Sequence, residues 1–207
     1  MYVINEYYKD IEKLRMCRTI SKETKEKEIK YLLEKIEEVK AKQRYNRRKK
    51  TILKNVTEKR LIWYATLTLN ESKINKDVKT LKTSMVKLLK RYGINYCLVP
   101  ELSPKGRLHF HGFLDLGYVK PTIKRKLNGE YIKDRYGNYV YEIENYTKNY
   151  GWCHLICMES VPPKIFRRCV NYTASYSIKS NEKMMSTRVD YGIIRMKNIF
   201  GKLLTIK

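Results

Sequence analysis

At Leu61 the apolar residues change period, from helical spacing to the β-branched and aromatic content of a strand. That switch divides the chain into two parts that cannot share one architecture. Before it, Tyr7, Ile11 and Leu14 recur at i, i+4, i+7. After a break at Arg18–Thr24, Ile29, Leu32, Leu33, Ile36 and Val39 form a second helical stripe, with Ser21 placed as its N-cap. These segments predict two antiparallel helices whose stripes pack on each other or on a neighbour. The second helix runs into Lys40–Arg60, where ten Lys/Arg face a single acid, Glu58. Such a run reads equally as a solvated face and as a phosphate-binding surface, and it could also act as a nuclear address.

After the switch, Leu61–Leu69 (LIWYATLTL) predicts a strand. Lys76–Arg91 carries Val78, Leu81, Met85, Leu88 and Leu89 at helical spacing and stops at Gly93. Ile94–Glu101 and Arg107–Leu116 predict two strands joined by the short turn LSPKG. Two polar, Tyr-rich strands follow around Asp134–Asn138, as a protruding hairpin. Gly151–Ser160 predicts a further buried strand, and Pro162-Pro163 opens a helix over Lys164–Lys179. An edge strand is assigned to Tyr191–Met196. The order β-α-β-β-hairpin-β-α predicts an α+β fold, an antiparallel sheet with helices packed on it. The domains are accordingly a basic helical extension, 1–58, and a chemistry-bearing domain, 59–207.

The 207 residues suffice for one real core plus an appendage and are too few for an added motor domain. No G-x4-G-K-[ST] occurs, so a P-loop is absent. Forty-five Lys+Arg against 21 Asp+Glu leave a net charge of +24, which points to a polyanionic partner, nucleic acid before others. No apolar run reaches membrane-spanning length and the N-terminus lacks an apolar signal core, so the expectation is an intracellular protein without a membrane partner. Bacterial cytoplasm and host nucleus remain equal alternatives. The five cysteines read as reduced core thiols. Cys153, His154 and Cys157 do not make a zinc site, because a strand puts the two thiols on one face and the imidazole on the other.

Two of the three histidines stand in His109-Phe110-His111, and on a strand both imidazoles project from one face. If LSPKG closes a hairpin in which paired residue numbers sum to about 208, Glu101 faces Arg107 and lies diagonal to His109 on that same face. A slip of one residue would turn it away. One carboxylate and two imidazoles suit Mg²⁺ or Mn²⁺, with positions left for phosphate oxygens and water. Tyr172, Tyr176 and Lys179, spaced i, i+4, i+7, put two phenols and an ammonium on one helical stripe. In a chain with 18 tyrosines these rings could simply pack. As nucleophiles they would need a nearby cation to lose a proton, which the metal face and Lys179 could supply.

Taken in order, ATLTL (Ala65–Leu69), Glu101 with GRLHFHG (Gly106–Gly112), and YTASYSIK (Tyr172–Lys179) resemble the three motifs of the HUH endonuclease superfamily. They are most similar to those of rolling-circle replication initiators of single-stranded DNA phages, small circular DNA viruses and plasmids. The resemblance covers roughly Trp63–Lys183. It implies an RRM-like antiparallel sheet, and His109, His111 and Glu101 as ligands of Mg²⁺ or Mn²⁺. It implies Tyr176 as the nucleophile on single-stranded origin DNA, with Lys179 as its partner and a 5′-phosphotyrosine and a free 3′-OH as products. Tyr172 completes a Tyr-x3-Tyr as in two-tyrosine initiators, or else is structural. The lack of a helicase segment implies a separate helicase beside the host polymerase. Two alternatives stay open: a relaxase or transposase of the same superfamily, and a catalytically inactive nucleic-acid-binding module.

Overall fold

The computed structural model describes residues 2–70, 77–103, 106–179 and 184–187. The chain divides into two compact units, Met1–Lys50 and Thr51–Lys207, with the division inside a long helix. Among the described residues no helix is long and apolar enough to cross a membrane.

The first unit contains α1 (Tyr2–Met16) and the greater part of α2 (Lys22–Lys59). Ser21 caps α2 as expected, its Oγ accepting from the Thr24 amide at 3.2 Å. Ile11 and Ile36 are buried, and Lys40 Nζ donates to the Tyr8 hydroxyl at 3.3 Å, so α1 folds back along α2. Leu33, expected in the stripe, is exposed. The seam is narrower than the apolar pattern suggests, and Leu33 lies just off it.

The second unit takes up the last turns of α2, whose Ile52 is fully buried. The helix ends at Arg60, which has a positive φ of 50°, and the Leu61 amide bonds back to the Val56 carbonyl at 3.0 Å. There follow β1 (Trp63–Leu69), α3 (Val78–Arg91), β2 (Asn95–Leu102), β3 (Leu108–Asp115), β4 (Thr122–Ile123) and β5 (Tyr141–Glu142). Then come α4 (Glu144–Asn149), β6 (Gly151–Cys157), α5 (Pro163–Lys179) and β7 (Met185–Ser186). The strands form one antiparallel sheet in the order β4-β5-β6-β1-β3-β2-β7. Its centre, β6-β1-β3-β2, is an RRM-like arrangement, so the expected α+β class holds. The edge strand assigned to Tyr191–Met196 lies outside the described residues.

Alternation along the central strands gives the sheet two unlike faces. Ala65, Leu67, Leu69, Phe110 and Leu114 point to one side, where Leu81, Met85, Leu88 and Leu89 of α3 and Tyr146 of α4 close the core. α5 covers part of the opposite face, where Phe166 meets Phe113 edge-on at 5.8 Å. α4 has no counterpart in the sequence pattern; ENYTKN is too short and polar to show a period, and only Tyr146 is buried. The hairpin expected at Asp134–Asn138 exists as a tight turn, with the Asp134 amide bonded to the Asn138 carbonyl at 2.9 Å. Its arms are reduced to the single bridge Lys133↔Tyr139, and a second bridge, Arg125↔Tyr131, flanks another turn. These polar arms have no apolar face to hold a longer ladder in register.

The β2–β3 register also differs from the expectation. Glu101 pairs with His109, not Arg107, and Leu102 with Leu108, so paired numbers sum to 210 rather than 208. The reason is local: the Ser103 amide bonds to the Arg107 carbonyl at 2.8 Å and the Gly106 amide to the Ser103 carbonyl at 2.9 Å, which centres the turn one residue later. A shift of two preserves the face, so Glu101 still points with His109.

Candidate active site

The face under α5 carries the polar residues of the central strands. On β1, Thr66 lies opposite His111 and Thr68 opposite His109. Thr68 Oγ1 is hydrogen-bonded to Nδ1 of His109 at 2.7 Å, and Thr66 Oγ1 to Nδ1 of His111 at 3.1 Å. Each ring is thus held by one nitrogen while its other nitrogen points along the face. A hydroxyl can donate or accept, so the threonines hold either imidazole tautomer. Glu101 reaches diagonally from its pairing position, placing Oε2 2.8 Å from Nε2 of His111.

Gly112 lets β3 close on β2 just after His111. Its φ is 153°, and a Cβ there would fall 2.1 Å from the Cys97 carbonyl oxygen. The glycine therefore holds the histidine-bearing strand in place against the strand that carries Glu101.

Helix α5 brings the tyrosines to this face. The Tyr172 ring stands edge-on to His111 with centroids 5.4 Å apart, and the Tyr176 ring lies tilted at 5.9 Å. The two phenol rings are 4.4 Å from each other. Tyr172 is 41% exposed, so a ligand can reach it from solvent. Lys179 is the last residue of α5, and its side chain lies outside the described part of the structure.

Electrostatics separate the groups. Burial, and secondarily the neighbouring His109, hold His111 well below its ordinary pKa, at about 4, so it is neutral at pH 7. Burial raises the Tyr172 phenol above its ordinary value, and the hydrogen bond with Tyr176 and the charge of Glu101 add to this. Tyr172 therefore stays protonated in this arrangement.

The donor set suits a divalent ion. With Nδ1 of each ring tied to threonine, Nε2 is the nitrogen left to ligate, and a carboxylate already stands at one of them. As the side chains stand, Glu101 is directed at His111 itself, and among the described residues no three His, Cys, Asp or Glu are gathered around one point that could hold an ion. Loading the site therefore requires Glu101 to turn its carboxylate from the imidazole toward the ion.

Sequence reasoning misses several neighbours of the site. Thr66 and Thr68 are visible only as alternate threonines in ATLTL, with nothing to show what they face. His154 lies across β1 from His111, since both pair with Thr66, and Trp152 likewise flanks Thr68. Their membership of this face follows from β6 lying beside β1, which no local pattern announces. Cys153 and Cys157 alternate with these residues onto the opposite face, and burial pushes the Cys153 thiol up to about 12. All five cysteines are free thiols, and the zinc reading has no geometry to support it.

In comparison with known protein families, residues 62–181 match the family described as Replication-associated protein ORF2. That segment holds β1 through α5 and every site residue named above. No curated protein and no solved structure matches the chain.

Proposed function

The chain belongs to this family of replication-associated proteins, which ties it to DNA replication, and from that premise we propose that it nicks single-stranded DNA at a replication origin. The observation that carries the proposal is the stacking of Tyr172 and Tyr176 over His111, within reach of His109 and Glu101. Packing alone would explain two aromatic rings on a helix. It does not explain why they cover the sheet patch built of two imidazoles, a carboxylate and two threonine hydroxyls.

In this reading His109, His111 and Glu101 hold Mg²⁺ or Mn²⁺. The ion, when bound, supplies positive charge that polarises the scissile phosphate. Thr66 and Thr68 keep the two rings oriented. Tyr176 attacks phosphorus through its phenol oxygen: a Tyr–O–P bond forms, the P–O3′ bond breaks, and the departing O3′ takes up a proton. The products are a 5′-phosphotyrosine and a free 3′-OH. Lys179, on the same stripe of α5, is assigned to favour the phenolate. Tyr172, kept protonated by burial and by Glu101, serves the later joining step.

The test is incubation of the full-length protein with single-stranded origin DNA and Mn²⁺. The proposal requires a protein-linked 5′ end together with a 3′ end that a polymerase extends. Cleavage that leaves a free 5′-phosphate would exclude the tyrosine route.

A further inference from the structure

Trp152 is the outlying aromatic side chain of the site face. It lies across β1 from Thr68, yet the residue is 45% exposed. It is also held: the Lys124 ammonium sits 5.0 Å from its ring centroid and the His154 ring 5.3 Å away. Lys124 is in turn fixed by an ion pair with Glu142 at 3.1 Å and a hydrogen bond to the Cys153 carbonyl at 3.3 Å. A large apolar ring kept rigid and presented to water has its binding entropy largely spent in advance.

Beside this ring opens a groove of about 560 Å³, lined by Thr68, Asn70, Arg107, Thr147, Gly151 and Trp152. Its size lies within the roughly 300–1,000 Å³ of small-ligand sites, room enough for one nucleotide. The lining combines one aromatic wall, one exposed guanidinium, and hydroxyl and amide groups, with no carboxylate. An anion with a flat, hydrogen-bonding ring matches that chemistry, and the net charge of +24 favours a polyanion generally. Thr68 joins the groove to the site, because it lines the groove and also bonds Nδ1 of His109.

We infer that this groove seats one unstacked nucleotide of the single strand, with its base against Trp152 and its phosphate at Arg107, next to the position to be cut. The inference rests on the proposed nicking of single-stranded DNA and locates part of the strand's path. Trp152 is a positioning residue: it sets which nucleotide lies beside the histidines and performs no chemistry.

Fluorescence titration of the full chain with single-stranded oligonucleotides, with metal chelated, tests the seat apart from cleavage. The chain has two tryptophans, and Trp63 packs against the core, so Trp152 should be the fluorophore that DNA quenches. Trp152→Phe should remove the quenching and keep affinity within about threefold, since a ring remains to stack. Trp152→Ala should weaken binding roughly tenfold or more, and Arg107→Gln should weaken it and flatten its salt dependence. An abasic site moved along the oligonucleotide should abolish quenching at one position only. Quenching that survives in Trp152→Phe, or wild-type affinity in a folded Trp152→Ala, would overturn the inference and leave the nicking proposal standing. Conversely, the predicted quenching pattern in a protein that forms no adduct with Mn²⁺ would uphold the seat and refute the nicking proposal.

Discussion

Glu101 lies directly across the β2–β3 ladder from His109, yet its carboxylate meets the other histidine, 2.8 Å from Nε2 of His111. The contact joins two groups that would have to serve one ion. The metal-free site is therefore preorganised in its parts and closed on itself, and ion binding must exchange a carboxylate–imidazole contact for two coordinate bonds.

Removing one ligand should damage chemistry more than binding. His111→Ala is expected to slow nicking in Mn²⁺ by about a hundredfold or more while DNA affinity changes only a few-fold, since most affinity comes from phosphate contacts elsewhere. Cleavage rates and a binding isotherm on the same oligonucleotide decide it. Unchanged cleavage would remove His111 from the site.

The threonines should matter almost as much as the ligands they hold. Thr68→Val keeps the shape of the side chain and deletes the hydroxyl that bonds His109. Deleting an outer partner of this kind costs roughly 10–100-fold in metal affinity or activity. Calorimetric titration with Mn²⁺ reads it directly, and an unaltered affinity would make Thr68 a packing residue only.

Metal-free protein should lose stability as pH falls from about 6.5 toward 4. Folded His111 has its pKa depressed to about 4, whereas in the unfolded chain it takes a proton near its ordinary value. Below that value the unfolded state binds the extra proton, so acid favours unfolding. His154, also depressed by burial, adds to the effect with the same sign. Melting temperatures in chelator at pH 7.5, 6 and 5 should fall, and fall less in His111→Gln. Identical pH profiles for the two proteins would contradict the burial argument.

Gly112→Ala should destabilise by at least about 2 kcal/mol, because the positive φ and the close approach of β2 both oppose a Cβ that would strike a carbonyl. Denaturant unfolding measures it. A decrease below about 0.5 kcal/mol, the scale of a neutral surface change, would mean that β2 and β3 can part locally.

The basic end of α2 offers a separable test. If Arg47, Arg48, Lys49 and Lys50 bind phosphates, changing all four to Gln should make the slope of log affinity against log salt shallower by roughly 0.7 for each phosphate no longer neutralised. An unchanged slope would assign these charges to assembly or targeting.

Much of this fold is legible in the sequence because the central strands and α3 are long and strictly patterned. β1, α3, β2, β3 and α5 begin and end within about two residues of the expectation, the usual uncertainty of such limits. The face shared by Glu101, His109 and His111 is legible from parity alone, which is why a register wrong by two still groups them correctly. The Tyr172–Tyr176 stripe is legible as helical spacing; that it lies over His111 is not, since the crossing of a helix over a sheet leaves no local trace. Trp152 and His154 are hidden for a related reason. Their strand follows the polar excursion of residues 117–150, and only the non-local β1–β6 pairing shows which face they join.

The central claim is that Tyr176 forms the first covalent bond to DNA, and mass-spectrometric mapping of the denaturant-resistant adduct tests it most directly. Phe keeps the ring that packs and removes the nucleophile, so each tyrosine can be tested without emptying its place. The account predicts a phosphotyrosine at Tyr176 in the wild type, no adduct in Tyr176→Phe, and an adduct retained in Tyr172→Phe with joining impaired. A phosphotyrosine at Tyr172 alone, persisting in Tyr176→Phe, would contradict it.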